Sequence, residues 1–179
     1  MKDIKGTKTE KNLMEAFIGE CMNVVKYGFF ASKAKKDGFV QIQHIFQETA
    51  SNETEHAKIL FKYLYGPMKH TQQNLTDSAN NEIYEFDQMY PEFAKIAMEE
   101  GFEDISKSFT QIAQIENHHG QRYNRLAKNI QENAVFQKGE TTTWICQNCG
   151  HIHIGKVAPN ECPVCIHPQS YFEKYNENF

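Results

Sequence analysis

The chain has 179 residues, 40% of them apolar, and a formal net charge of −4. That length admits one domain, or one plus a small one, with enough apolar content for a core, and the acidic balance gives no bulk case for nucleic-acid binding. No apolar run approaches the ~18 residues of a membrane-spanning helix. The opening MKDIKGTKTEKN is charged and lacks the apolar stretch of a secretory leader, so the expected location is cytoplasmic.

In chain order, residues 7–37 read as one long helix, with Thr9 as its N-cap and Gly38 as its end after a lysine-rich last turn. A second helix covers about 41–65 and is stopped by Gly66 and Pro67. The polar, aperiodic stretch 67–77 reads as a loop. A third helix covers about 76–89, Pro91 breaks it and starts a short helix reaching Glu100, and Gly101 precedes a last long helix over about 102–132. Near Gly139 helical periodicity gives way to Gly, Pro, Cys and β-formers. This divides the chain into residues 1–138 and 139–179. If Glu53 and Glu82 stand at one level on parallel helices, the loop must climb back about 27 Å, and ten extended residues span roughly 33 Å. An up-down-up-down bundle is easier for the loop, so length alone does not choose.

Each helix carries an apolar seam that advances in steps of three and four, interrupted near its middle by a glutamate. The first runs Leu13, Phe17, Glu20, Val24, Tyr27, Ala31. The second runs Ile42, Phe46, Thr49, Glu53, His56, Leu60, Tyr63. The third runs Leu75, Ala79, Glu82, Phe86, Met89. The fourth runs Ile105, Phe109, Ile112, Glu116, His119, Tyr123, Leu126, Ile130. Buried carboxylates without cations are too costly to keep ionised. Four of them at one level, with two imidazoles, imply metal. Residues 53–56 and 116–119 both read Glu-x-x-His, which puts both ligands on one helix face. Two such helices plus one Glu from each of two others make a dinuclear carboxylate site in a four-helix bundle. Oxygen-rich ligands with one imidazole per metal favour Fe or Mn. Glu85, one turn from Glu82, is a further candidate. Tyr27 and Tyr90 are either core aromatics or phenols that donate to ligand oxygens. A lone Glu-x-x-His usually marks a solvated face, and Glu15, Glu55 and His118 are read that way. Cys21 lies beside Glu20 but off the seam.

Cys146, Cys149, Cys162 and Cys165 form two C-x-x-C knuckles, which point to one tetrahedral tetrathiolate metal site rather than a disulfide framework. Spacing alone does not separate Fe from Zn. A segment of this size needs the metal for its stability. Trp144 and Phe172 are expected to form its small aromatic core, and His151, His153 and His167 to lie on its surface.

With both sites in view, the chain resembles a rubrerythrin over essentially its whole length. The matching stretches are KGTKTEKNL, AKKDGFVQI, ETASNETEHAK, EFDQMYPEFAKIAMEEGF, WICQNCG and APNECPVCIHP. The resemblance implies a mainly α fold, a ferritin-like four-helix di-iron bundle followed by a small rubredoxin-like domain with one iron on four cysteines. It implies reduction of hydrogen peroxide to water, with electrons entering through the rubredoxin-type iron. The donor is a rubredoxin or an NAD(P)H-dependent reductase. By the same resemblance Glu53 and Glu116 bridge two irons, Glu20 is terminal on one, and Glu82 and His119 on the other. Glu85 and His56 compete for the first iron, with His56 favoured on reduction. Mn or Zn can replace the bundle irons, and Zn the clip iron. Family members are typically homodimers, some with helices exchanged between subunits. Cys21 departs from the hydroxyl residue usual at its place. The rival readings are a ferritin-like ferroxidase, which has no use for the cysteine clip, and a non-enzymatic helical module with a structural zinc ribbon.

Overall fold

The computed structural model describes residues 3–177. They divide into two compact units, Met1–Met68 and Lys69–Phe179. The first unit is a helical hairpin of α1, Lys8–Lys36, and α2, Val40–Tyr65. Its N-cap is Thr7, not Thr9: the Thr7 hydroxyl accepts from the Glu10 amide at 3.1 Å, and the Glu10 carboxylate accepts from the Gly6 amide. This reciprocal capping box outcompetes the later threonine. At the other end Gly38 takes φ +86, the left-handed conformation that ends a helix.

The second unit holds α3, Thr71–Tyr84, a π turn at Glu85–Met89, α4, Tyr90–Glu99, and α5, Glu103–Gln131. Two expectations are corrected here. α3 begins at Thr71, so the connection from α2 is only residues 66–70. Its first turn is held by Gln73 and Lys69, both donating to Asp77, and by the Asn74 side chain donating to the Lys69 carbonyl. Side-chain partners make a helix start out of a stretch with no apolar period. Pro91 also does not break the chain direction. It has no N–H for an α-type bond, and the helix widens just before it: the Tyr90 amide reaches the Glu85 carbonyl, five residues back.

The two units repeat each other. Glu20 corresponds to Glu82, an offset of 62 residues. Tyr27, Ala31, Ala34, Gly38, Phe46, Glu53, His56 and Ala57 correspond to Tyr90, Ala94, Ala97, Gly101, Phe109, Glu116, His119 and Gly120, an offset of 63. The extra residue falls in the π turn. The structural roles repeat as well. Ala31, Ala34, Ala94 and Ala97 are all buried, and Gly101 has φ +85 where Gly38 has +86.

The seams are only partly covered. Along α1 every seam residue from Leu13 to Ala31 is at least half-buried, but Ile42, His56 and Tyr63 on α2, and Ile105 and Leu126 on α5, are exposed. The reason is that helices pair within each unit through columns of small residues one step round from the seam. These are Ala57 on α2, and Ser106, Ala113 and Gly120 on α5. A Cβ on Gly120 would stand 3.0 Å from Ile83 and 3.4 Å from the Ala79 carbonyl, so α3 and α5 approach closely there.

After α5 comes a three-stranded antiparallel sheet in the order β2-β1-β3, with β1 Gln137–Cys146, β2 Ile152–Val157 and β3 Phe172–Lys174. Trp144, Cys146, Ala158, Cys162 and Phe172 form its buried core, which includes both expected aromatics. The Trp144 indole N–H donates to the Gly155 carbonyl at 2.9 Å. Among the described residues no helix is long and apolar enough to cross a membrane.

Candidate metal centres

Each helical unit brings three of the expected ligands together. In the first, Glu20 comes from α1, and Glu53 and His56 from one face of α2. In the second, Glu82 comes from α3, and Glu116 and His119 from one face of α5. Within each triad the ligand atoms lie within 4.8 Å of one another. The geometry repeats between them. His56 Nδ1 is 2.8 Å from Glu53 Oε2 and 3.8 Å from Glu20 Oε2; His119 Nδ1 is 2.8 Å from Glu116 Oε2 and 3.4 Å from Glu82 Oε2. The carboxylates are the covered members and His56 the most open, at 55% side-chain exposure.

Electrostatics marks the same carboxylates. Burial, reinforced by a hydrogen bond and charge from Glu53, raises the Glu20 carboxyl above the ordinary carboxylate range. Burial and Glu116 do the same to Glu82, with a smaller contribution from Glu85. Two carboxylates this close cannot both ionise cheaply without a cation between them. The donor set therefore suits a divalent metal, which would replace the shared proton.

The remaining candidates are placed unequally. Glu85 opens the π turn and accepts from the Asn81 side chain at 2.7 Å; it stands outside the second triad but close enough to act on Glu82. Tyr90 is half-buried against Phe109, and burial, followed by the charges of Glu85, Glu116 and Glu82, raises its phenol. Tyr27 occupies the corresponding place against Phe46, 5.9 Å between ring centres. Cys21 is half-buried on a second apolar face of α1 with Phe17, Ile18, Met22 and Val25. Glu55 and His118 are exposed, Glu55 pairing with Lys58 at 2.6 Å.

The four clip cysteines converge as expected. The Cys146 and Cys165 sulfurs are 3.7 Å apart, and those of Cys149 and Cys162 3.6 Å. A metal–sulfur bond of ~2.3 Å gives a tetrahedron with an edge of about 3.8 Å. Two opposite edges of the sulfur cage thus already have the length that a tetrahedral ion requires. The knuckles also match: the Cys146 amide donates to the His151 carbonyl and the Cys162 amide to the His167 carbonyl, at 2.9 and 2.8 Å. The His167 backbone amide holds the Cys165 thiol down at about 6. At Cys149 the His151 amide pulls downward, but Cys165, burial and the other thiols outweigh it and push the thiol up to about 12. A tetrathiolate ion would displace the proton of every thiol that still carries one. His151, His153 and His167 are half-buried rather than on the surface. His167 packs edge-on against Tyr171, its Nδ1 3.0 Å from the Cys165 carbonyl, because the knuckle backbone folds that segment inward.

Comparison with known proteins finds the family profile described as Rubrerythrin over residues 11–127. The chain belongs to the rubrerythrin family. Residues 144–173 match the rubrerythrin rubredoxin-like domain. Rubrerythrin-1 of Clostridium acetobutylicum is 46% identical over 195 positions, and rubrerythrin of Nitratidesulfovibrio vulgaris 46% over 191, each covering 100% of both chains. Among solved structures, one titled as the partially reduced state of nigerythrin is 31% identical, covers 93% of this chain and 86% of its own, and has a TM-score of 0.36. The fold class is that of a rubrerythrin: mainly α, a four-helix bundle architecture with a small three-stranded sheet carrying the four-cysteine cluster.

Proposed function

We propose that this protein reduces hydrogen peroxide to water at a dinuclear iron centre in its helical region, residues 1–138. Electrons arrive through a single iron on the cysteine clip in residues 139–179. The observation that carries the reading is the pair of matching Glu, Glu, His triads, together with a tetrathiolate cage, in one rubrerythrin chain. Glu20, Glu53, His56, Glu82, Glu116 and His119 would hold the two ions, with Glu85 as a seventh donor. Two ferrous ions so held would supply one electron each to the O–O bond. The balance is H₂O₂ + 2 H⁺ + 2 e⁻ → 2 H₂O.

The chain's own groups supply the rest. The carboxylates would offset the charge of the two ions. The neutral imidazoles leave the assembly less negative than an all-carboxylate set would. Tyr90, its phenol raised by burial and by Glu85, Glu116 and Glu82, keeps its proton at neutral pH and can donate a hydrogen bond to an oxygen in the site. Separate electron-transfer proteins, a rubredoxin or an NAD(P)H-dependent reductase, would refill the clip iron.

The test is an anaerobic titration of iron-loaded protein. Ferric tetrathiolate colour should bleach with dithionite and return on addition of peroxide, two electrons per peroxide, with no oxygen evolved. Reduced protein that peroxide does not reoxidise would sink the proposal, as would iron accumulating as mineral.

A further inference from the structure

Glu85 lies three residues beyond Glu82, a spacing that puts both on one side of the helix. Its charge reaches Glu82 and Tyr90. Yet its carboxylate is not gathered with Glu82, Glu116 and His119. Instead Glu85 Oε1 accepts from the Asn81 side-chain amide at 2.7 Å. Asn81 is exposed and Glu82 half-buried, so this bond draws the Glu85 carboxylate toward the solvent side of the helix and away from the triad.

The backbone of Glu85 is fixed on both sides. Its amide donates to the carbonyls of Asn81 and Glu82, and its carbonyl accepts from the Tyr90 amide across the π turn. The carboxylate can therefore change place by side-chain rotation alone, and the Asn81 bond weighs one position against the other. The repeat between the units supports a joint role. Asn81 and Glu85 correspond to Gly19 and Asn23 in the first unit, at the offset of 62 that relates Glu20 to Glu82. The carboxylate and its amide donor are present together in one half and absent together from the other. The donor type matters too. A lysine at residue 81 would offset the charge of Glu85, whereas a neutral carboxamide holds the carboxylate and leaves it ionised, ready for a cation.

We infer that Asn81 is a positioning residue that competes with the bundle metal for Glu85. The hydrogen bond withholds the carboxylate from the ions, and recruiting Glu85 as a donor requires breaking it. This rests on the metal-binding reading above. One net hydrogen bond shifts such an equilibrium by roughly 3–10-fold.

The test is a double-mutant cycle in full-length protein. The clip is first filled with one equivalent of Zn(II), which thiolates favour, and the bundle is then titrated with Co(II) against a competing chelator. Asn81→Ala should bind Co(II) about 3–10-fold more tightly than the wild type. In a Glu85→Gln background the same substitution should have no effect, because a carboxamide at residue 85 is a poor ligand whether or not it is held. Asn81→Gln restores an amide donor and should return the affinity toward that of the wild type. Unchanged or weaker binding by Asn81→Ala overturns the inference. So does a tightening that persists without Glu85, since a general gain in helix stability would do the same. If Asn81→Gln binds as tightly as Asn81→Ala, the amide is not what holds Glu85, and the inference fails. Wild-type protein that takes up no Co(II) beyond its clip would instead bring down the metal-binding reading itself, so the two failures are distinct.

Discussion

Glu53 and Glu55 are two residues apart on one helix and give a sharp contrast. Glu53 is 15% exposed and holds His56 at 2.8 Å; Glu55 is 66% exposed and pairs with Lys58 in solvent. Truncating Glu55 loses an exposed i,i+3 pair worth about 0.3–0.5 kcal/mol and should leave metal binding alone. Truncating Glu53 removes a metal donor. Substitution of groups that merely orient metal ligands costs ~10–100-fold in affinity, so loss of a ligand should cost at least about 100-fold, or about 2.7 kcal/mol. In metal-free protein the direction reverses. Glu53 helps to raise Glu20, so removing it relieves a carboxyl–carboxyl conflict. Glu53→Ala should then leave metal-free stability unchanged or slightly raised while abolishing peroxide reduction. Urea denaturation with and without chelator, paired with a metal competition titration, separates the two effects. Equal losses of metal affinity from the two substitutions would show that the helix phase is wrong. A large fall in metal-free stability on Glu53→Ala would refute the electrostatic account.

Cys162→Ser should remove the tetrathiolate colour and donor-driven turnover, while helical circular dichroism is retained, because Cys162 lies in the core of the small sheet. Ile166 sits at φ +61, where the matching knuckle has Gly150 at +75. A β-branched residue there costs ~1–2 kcal/mol. Ile166 is 64% exposed and packs little, so Ile166→Gly should stabilise the metal-bound clip by about 1 kcal/mol in thermal denaturation. For pH, Glu20 and Glu82 bind their protons more tightly folded than unfolded. Metal-free stability should therefore fall as pH rises from the ordinary 4.5 through the raised folded values, and stay lowered above them. Glu20→Gln and Glu82→Gln should flatten that slope in chelator-treated denaturation series, while metal affinity of the wild type rises over the same window.

The two candidate triads were legible because a carboxylate in an apolar seam violates the pattern around it, and the violation recurs with the same partners at the same spacing. Cysteine spacing made the clip legible for the same reason: few other chemistries need it. The start of α3 was not legible. Residues 71–75 read Thr, Gln, Gln, Asn, Leu with no apolar period, and what winds them is a set of side-chain bonds to Asp77 and Lys69. Exposure of the α2 and α5 seams was not legible either. Periodicity reports which face is apolar, but small residues at Ala57, Ala113 and Gly120 decide which face touches the neighbour.

The repeat between the two units is offset by a single residue near its start. A spacing of 62 at Glu20 and Glu82 becomes 63 from Tyr27 and Tyr90 onward, where one register aligns the halves. The π turn absorbs the difference, and it lies just before Pro91, where a missing N–H lowers the cost of widening the helix. Glu85 stands at the head of that turn, and its counterpart in the first unit is Asn23. The halves are therefore alike in their three core ligands and unlike at one position. A dinuclear site made from two identical halves would hold two equivalent ions. In the dinuclear centre proposed above, a fifth carboxylate would stand on one side only, carried where the backbone is locally widened. One inserted residue and one Asn-for-Glu difference would thus make the two metal positions inequivalent.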